Sequence, residues 1–334
     1  MTDATLTIRF AGPMVSLQDA GRRGGLRFGV SPSGPMDRVA FAAAHAALGQ
    51  EPATAIEVSL GGLSLTTDVP LTLAIVGGDF DIDLGGQRYQ GGQVLTLPPG
   101  DTLTLRAGPS GSWAYVAFAG ELEAPIWMGS TATHAPSGFG GGMLASGQKL
   151  RVKAPAVRDN RIGAVPAFTG HSAGPLRAVM GPQDQHFDAS APATFTTSAF
   201  RIGTAYDRMG MRLEGPPLTL KSALSIPSEP ILRGSVQVSG DGVPTILLAD
   251  HQPTGGYPKI ATLLSCDTDR LAQHRSGDRL NFASITAAEA TEQARVFAGA
   301  LNRYLTEIAA DRGTLADRLM RENLIHGLLL DDPD

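Results

Sequence analysis

Between Ala55 and Leu150 the sequence passes through one short apolar run after another, each closed by a glycine or proline turn. The runs are Ile56 to Leu60, Leu71 to Val76, Val94 to Leu97, Thr102 to Leu105 and Ser112 to Phe118. The turns are Gly61-Gly62, Gly77-Gly78, Gly85-Gly86, Pro98-Pro99-Gly100-Asp101 and Gly108-Pro109. Short strands at this spacing predict a compact barrel or sandwich. A content of 41 glycines and 23 prolines with only 6% aromatics agrees with a mainly β chain.

Flanking segments complete the outline. Thr5 to Phe10 alternates apolar and polar residues, as a half-buried strand does, and ends at Gly12-Pro13. Asp37 is a good N-cap for an alanine-rich helix from Arg38 to Leu48, and Gly49 stands where a helix-terminating glycine belongs. Arg151 to Pro166 has no clear periodicity, which places a domain boundary there. A second β-rich region runs from Leu176 to Phe282. It repeats two short signatures of the first: Gly34-Pro35-Met36-Asp37 against Gly181-Pro182-Gln183-Asp184, and Gly100-Asp101-Thr102-Leu103 against Gly277-Asp278-Arg279-Leu280. Then Thr286-Ala287-Ala288-Glu289 forms a capping box, and Ala290, Ala294, Phe297, Leu301, Leu305 and Ile308 recur at helical spacing. A further helix is expected from Thr314 to about Leu329. The division reads as a β domain over 1–155, a second over 156–283 and a helical extension over 284–334, whose apolar positions serve packing or contact with another chain.

Length and charge narrow the functional classes. A chain of 334 residues can bury two cores. The net charge of -5 provides no basic surplus for a nucleic-acid backbone. One cysteine, Cys266, supports neither an internal disulfide framework nor a cysteine-built zinc site. No basic-then-apolar leader opens the sequence, and no apolar run approaches the roughly 18 residues of a membrane span, so a cytoplasmic protein is expected. The seven histidines show no metal-ligand spacing, and no G-x-S-x-G elbow is present. Ser137-Gly138-Phe139-Gly140-Gly141-Gly142 lacks the G-x-x-x-x-G-K-[ST] pattern of a phosphate loop and reads as a connection.

One stretch is different in kind. Asp250-His251-Gln252-Pro253-Thr254-Gly255-Gly256-Tyr257-Pro258-Lys259 sits between two strand-like runs, with glycines that permit positive φ or close backbone approach. It reads either as a tight hairpin or as a shaped loop presenting Gln252, Thr254, Tyr257 and Lys259. Lys259 there would serve as a point charge on an oxyanion or, if buried, as a proton shuttle. Asp207-Arg208-Met209-Gly210-Met211-Arg212 adds guanidinium groups suited to carboxylate or phosphate, with Arg208 the favoured ligand and Arg212 a surface charge.

Taken together, Ser33-Gly34-Pro35-Met36-Asp37, Gly181-Pro182-Gln183-Asp184, Asp207-Arg208-Met209-Gly210, Gly234-Ser235-Val236-Gln237-Val238 and Gln252 to Lys259 resemble the KipA, or allophanate hydrolase subunit 2, family. These are biotin-dependent carboxyltransferase family proteins, whose stand-alone bacterial members are the C-type component of 5-oxoprolinase. The resemblance covers about Val15 to Phe282. It implies two cyclophilin-like β-barrel domains with a few helices. It also implies a KipI-like chain and a LamB/YcsF-like chain as partners, with ATP used through the assembled complex to open 5-oxoproline to glutamate. Carboxyl transfer from carboxybiotin to urea or a related amide, or a role in a kinase-inhibiting complex, are the alternatives it carries. The chain has no biotin-attachment site, so no covalent biotin is expected on it. By the same resemblance Lys259 and Tyr257 are the expected catalytic residues, and Arg208, Gln237, Gln252, Thr254, Gly255 and Gly256 the substrate-binding ones. Pro253, Asp207 and Met211 depart from the family's usual residues.

Overall fold

A computed structural model describes residues 3–221, 226–311 and 313. It is mainly β, with four helices among the described residues: α1 (Arg38–Ala47), α2 (Ala191–Thr197), α3 (Ser265–Ala272) and α4 (Ala287–Ala309). No described helix is long and apolar enough to cross a membrane. The helix expected from Thr314 lies outside the described residues.

The first half packs two sheets face to face. One runs, in spatial order, Glu121–Leu122, Lys149–Lys153, Ala4–Ala11, Leu63–Thr67, Thr102–Ala107, Phe80–Leu84 and Gln87–Tyr89. Its strands alternate buried and open residues, because only one face meets the core of Leu6, Ile8, Leu65 and Leu103. The second sheet runs Gly163–Val165, Gly92–Leu97, Leu71–Val76, Trp113–Phe118, Ala55–Ser59 and Ser16–Gln18. Every residue of its Trp113–Phe118 strand is buried. Val116 and Phe118 face the shared core, while Tyr115 and Ala117 face Phe41, Ala44 and Ile308 of α1 and α4. That two-sided burial is why the central strands read as unbroken apolar runs. Asp37 caps α1 by accepting from the Ala40 N–H at 2.9 Å, and the Thr286–Glu289 box caps α4.

The second half curls an eight-stranded sheet around its own core. The order is Arg279–Leu280, Phe200–Tyr206, Gly210–Glu214, Pro244–Leu247, Ser235–Val238, Lys259–Leu263, Leu176–Met180 and Phe282–Ser284. Met211, Leu213, Val236, Val238, Ile246 and Ile260 point inward. Met36 and Trp113 of the first half complete this core.

Polar contacts at the seam are buried and specific. Arg208, 1% exposed, pairs with Glu57 of the first half and with Asp250 of the second, its Nε lying 2.9 Å from Asp250 Oδ2. Its Nη2 also donates to the Gly34 carbonyl at 2.7 Å. Burial alone would lower the pKa of this guanidinium, but Asp250 and Glu57 outweigh that and hold it above its ordinary value. Glu57 in turn accepts from the Tyr115 hydroxyl and the Met36 N–H, both at 2.8 Å. The Gly34-Pro35-Met36-Asp37 signature is therefore a seam element. Nearby, Gln273 donates to Asp37 at 2.7 Å and accepts from the Ser112 and Trp113 N–H groups.

Truncating Arg208 strands two buried carboxylates, so Arg208→Ala should cost roughly 3–5 kcal/mol in urea unfolding. A loss under about 1 kcal/mol would remove the seam role. Asp37, buried and near Asp269, has its carboxyl pushed up to about 6 from 3.8. The folded state then holds a proton that the unfolded chain releases, so this group's contribution falls as pH rises from about 4 to about 6. The stability of wild type minus that of Asp37→Asn, measured across that window, should decline with pH; a rise would contradict the assignment.

Candidate functional site

The ladder of the second sheet sets a row of side chains on its outer face. Met211 pairs with Ile246 and Val236 with Ile246, all inward. One residue along, Arg212 pairs with Thr245, Thr245 with Gln237, and Gln237 with Lys259 across a bulge. Directly opposed residues share a face. Arg212, Thr245 and Gln237 thus lie in line on the outside, each about 4.8 Å from the next strand's residue.

The loop from Gln252 to Pro258 folds over this row. Its Pro258 carbonyl accepts from the Val238 N–H at 3.0 Å, and its Pro253 carbonyl from the Ile231 N–H at 3.1 Å. Thr254–Gly255 pairs with Glu229–Pro230 as a small two-stranded flap. Neither Gly255 nor Gly256 adopts positive φ. Close approach is what requires glycine here: a Cβ on Gly255 would stand 2.3 Å from Gln237 Nε2. One on Gly256 would stand 3.2 Å from the Ile226 carbonyl oxygen. The stretch is a shaped loop rather than a plain hairpin.

A cleft of about 580 Å³ opens between this loop and the strands at 204–212 and 237–247, with Gln237, Gln252, Tyr257, Thr245, Arg212 and Asp207 among its walls. Gln252 Nε2 donates to Gln237 Oε1 at 3.0 Å, and Gln237 Nε2 donates to the Tyr257 carbonyl at 3.3 Å. The two carboxamides are fixed relative to one another. The Tyr257 side of the cleft is open, the residue being 48% exposed.

Of the residues expected from the sequence, Gln237, Gln252 and Tyr257 come together here. Lys259 lies beneath the flap instead, its Nζ 3.3 Å from Glu229 Oε2 and 3.5 Å from the Pro230 carbonyl. Its side chain is 6% exposed. Thr254, Gly255 and Gly256 shape the loop and do not wall the cleft. Arg208 differs most from expectation: it faces the seam, with Glu57, Asp250 and Gly34 taking its donors, and so holds the loop's first residue instead of reaching the cleft. Its spacing from Arg212 hides this, because four residues along a turn and strand reverse the face.

The family departures are also placed. Met211 is fully buried in the barrel core, away from the cleft. Asp207 Oδ1 accepts from the Met209 and Gly210 N–H groups at 2.7 and 3.2 Å, a turn role that an Asn oxygen fills equally. Reasoning from sequence missed Gln183 and Glu229. Gln183, 4% exposed, accepts from the Lys259 N–H at 2.9 Å and donates to Glu229, linking the Gly181-Pro182-Gln183-Asp184 signature to the lysine. His251 uses Nδ1 on the Gln252 carbonyl at 2.7 Å, and burial lowers its pKa.

Because the obstructing atom at Gly255 is the end of a flexible side chain, Gly255→Ala should move Gln237 rather than unfold the sheet. A crystal structure of that variant should show the Gln237 carboxamide displaced, with strands 235–238 and 259–263 unchanged. An undisturbed Gln237 would refute the close-approach requirement.

Residues 28–284 match the family described as carboxyltransferase domain, subdomain A and B. The chain is 32% identical over 291 residues to the 5-oxoprolinase C-type component of Escherichia coli (strain K12), spanning 85% of this chain and 93% of that protein. It is 31% identical over 284 residues to the corresponding 5-oxoprolinase component of Haemophilus influenzae, spanning 84% and 91%. The crystal structure of the Kluyveromyces lactis urea carboxylase superposes with a TM-score of 0.81 over 90% of this chain and 29% of that one, at 22% identity, a likeness of fold. The match runs through both halves and every element that builds the cleft, and the chain belongs to the carboxyltransferase domain, subdomain A and B, family.

Proposed function

We propose that this chain is one component of a cytoplasmic, ATP-dependent 5-oxoprolinase, acting with a KipI-like chain and a LamB/YcsF-like chain. The observation that carries the reading is the convergence of two fixed carboxamides and an open phenol on one cleft, in a chain whose relatives are named as a component of 5-oxoprolinase. A lactam presents one carbonyl acceptor and one N–H donor, and a primary carboxamide offers the complement of both. Gln252 uses one Nε2 hydrogen on Gln237, leaving its Oε1 and second hydrogen for such an amide. Negative charge grows on the lactam oxygen as a nucleophile adds to its carbonyl carbon, and is released when the ring C–N bond breaks. Fixed donors stabilise that charge most when they are already in place, which is the role given to the Gln252 carboxamide, with the open Tyr257 hydroxyl as a second donor. Lys259 adds a positive charge one strand from Gln237 and, through Glu229, tethers the flap.

ATP supplies the driving force, and its phosphates are assigned to the partners. The glycine loop at 137–142 is a poor cradle for them: the Gly138, Gly141 and Gly142 N–H groups already donate to His134, Thr131 and Thr133. The family description favours a second reading, carboxyl transfer from carboxybiotin on another chain to urea or a related amide, which the same carboxamides would orient.

The test is glutamate release from 5-oxoproline by the three mixed chains with ATP. Release should stop when this chain is omitted. Lys259→Ala should lower it roughly tenfold or more in a complex that still assembles. Release that continues without this chain contradicts the reading, and turnover of an amide only with a biotinylated protein supports the second.

A further inference from the structure

We infer that Arg212 is the receptor for the substrate's carboxylate and sets the preference for carboxylate-bearing cyclic amides. The inference rests on the 5-oxoprolinase reading of the cleft. Of the two arginines in the Asp207 to Arg212 segment, the sheet turns Arg208 into the seam and Arg212 out into the cleft wall. Arg212 lies two strands from Gln237 in the outer row, with Thr245 between them. The backbones at the two ends are therefore roughly 10 Å apart. Gln237 and Gln252 toward one end and Arg212 toward the other wall a single cleft of about 580 Å³, which has room for a small ring with its amide toward Gln252 and its carboxylate toward Arg212.

The guanidinium is held for this purpose. Asp241 Oδ1 accepts from the Ser239 hydroxyl at 2.6 Å and from the Val243 N–H at 3.2 Å, which fixes the carboxylate in its turn. Asp241 Oδ2 then takes Arg212 Nη2 at 2.6 Å. Nε and Nη1 remain, and a guanidinium presents its donors as a rigid fork suited to a carboxylate. Both members of the pair are about half exposed, 48% and 52%, so Asp241 orients the arginine without neutralising it deep in the protein. Asp241 is accordingly a positioning residue.

The experiment uses the assembled three-chain complex with 5-oxoproline and with 2-pyrrolidinone, the same lactam without the carboxylate. Steady-state turnover gives kcat/KM for each, and ligand-observed NMR titration gives affinity without turnover. Arg212→Gln should weaken 5-oxoproline on the order of tenfold or more beyond any loss on 2-pyrrolidinone, mainly through KM, and Arg212→Lys should recover part of that. Equal losses on both lactams, or no loss of 5-oxoproline affinity, would overturn the receptor. A complex that binds 5-oxoproline through Arg212 but releases no glutamate would keep the receptor and sink the 5-oxoprolinase reading instead.

Discussion

One buried guanidinium ties the two halves to each other and to the 250–259 loop. Arg208 reaches across the seam to Glu57 while holding Asp250 on its own side. Two carboxyl groups at these depths need a buried cation to compensate them, and Asp250 is held below its ordinary pKa by Arg208 against the effect of burial. Asp250 is the residue from which the 250–259 loop departs. The position of that loop over the second sheet is thereby tied to Glu57, Tyr115 and the Gly34 to Asp37 segment of the first half.

From there the site is a consequence of strand parity. The inward residues of the second sheet build a barrel core, and the residues between them form a polar row that the loop converts into a cleft wall. Gly255 lets the loop approach within contact of Gln237, which sets the carboxamide pair. Lys259 and Glu229 close the flap from below, with Gln183 bracing both. The cleft therefore draws on strands and loops between Thr204 and Lys259, with Gln183 bracing the flap from an earlier segment.

Much of the local structure is legible in the sequence. The Asp37 cap, the Thr286 box, the alternation in Thr5 to Phe10 and the apolar runs of the first half report local propensity and burial, which neighbouring residues encode. The unusual 250–259 loop is legible too, since glycine and proline mark backbone needs directly. Long-range pairing is not. Glu57 and Arg208 are 151 residues apart, and nothing in either neighbourhood signals the other. A guanidinium carries no mark of whether its partner is a substrate or a buried carboxylate, which is why Arg208 reads as a ligand in sequence and proves to be a seam residue. One signal does exist: Met211 and Leu213 flank Arg212 with apolar residues, so period-2 alternation already sets Arg212 outside the barrel. The same alternation places the family departure at Met211 in the core, where it leaves the cleft's chemistry intact.

This outer-face cleft is assigned as the place where the chain meets a small cyclic amide. A crystal structure of the assembled complex with 5-oxoproline decides it. Ligand density should then lie between Gln252, Tyr257 and Arg212, with the ring amide against the Gln252 carboxamide. Density for the ligand elsewhere, with the Gln237–Gln252 pair unchanged and water in the cleft, would contradict it.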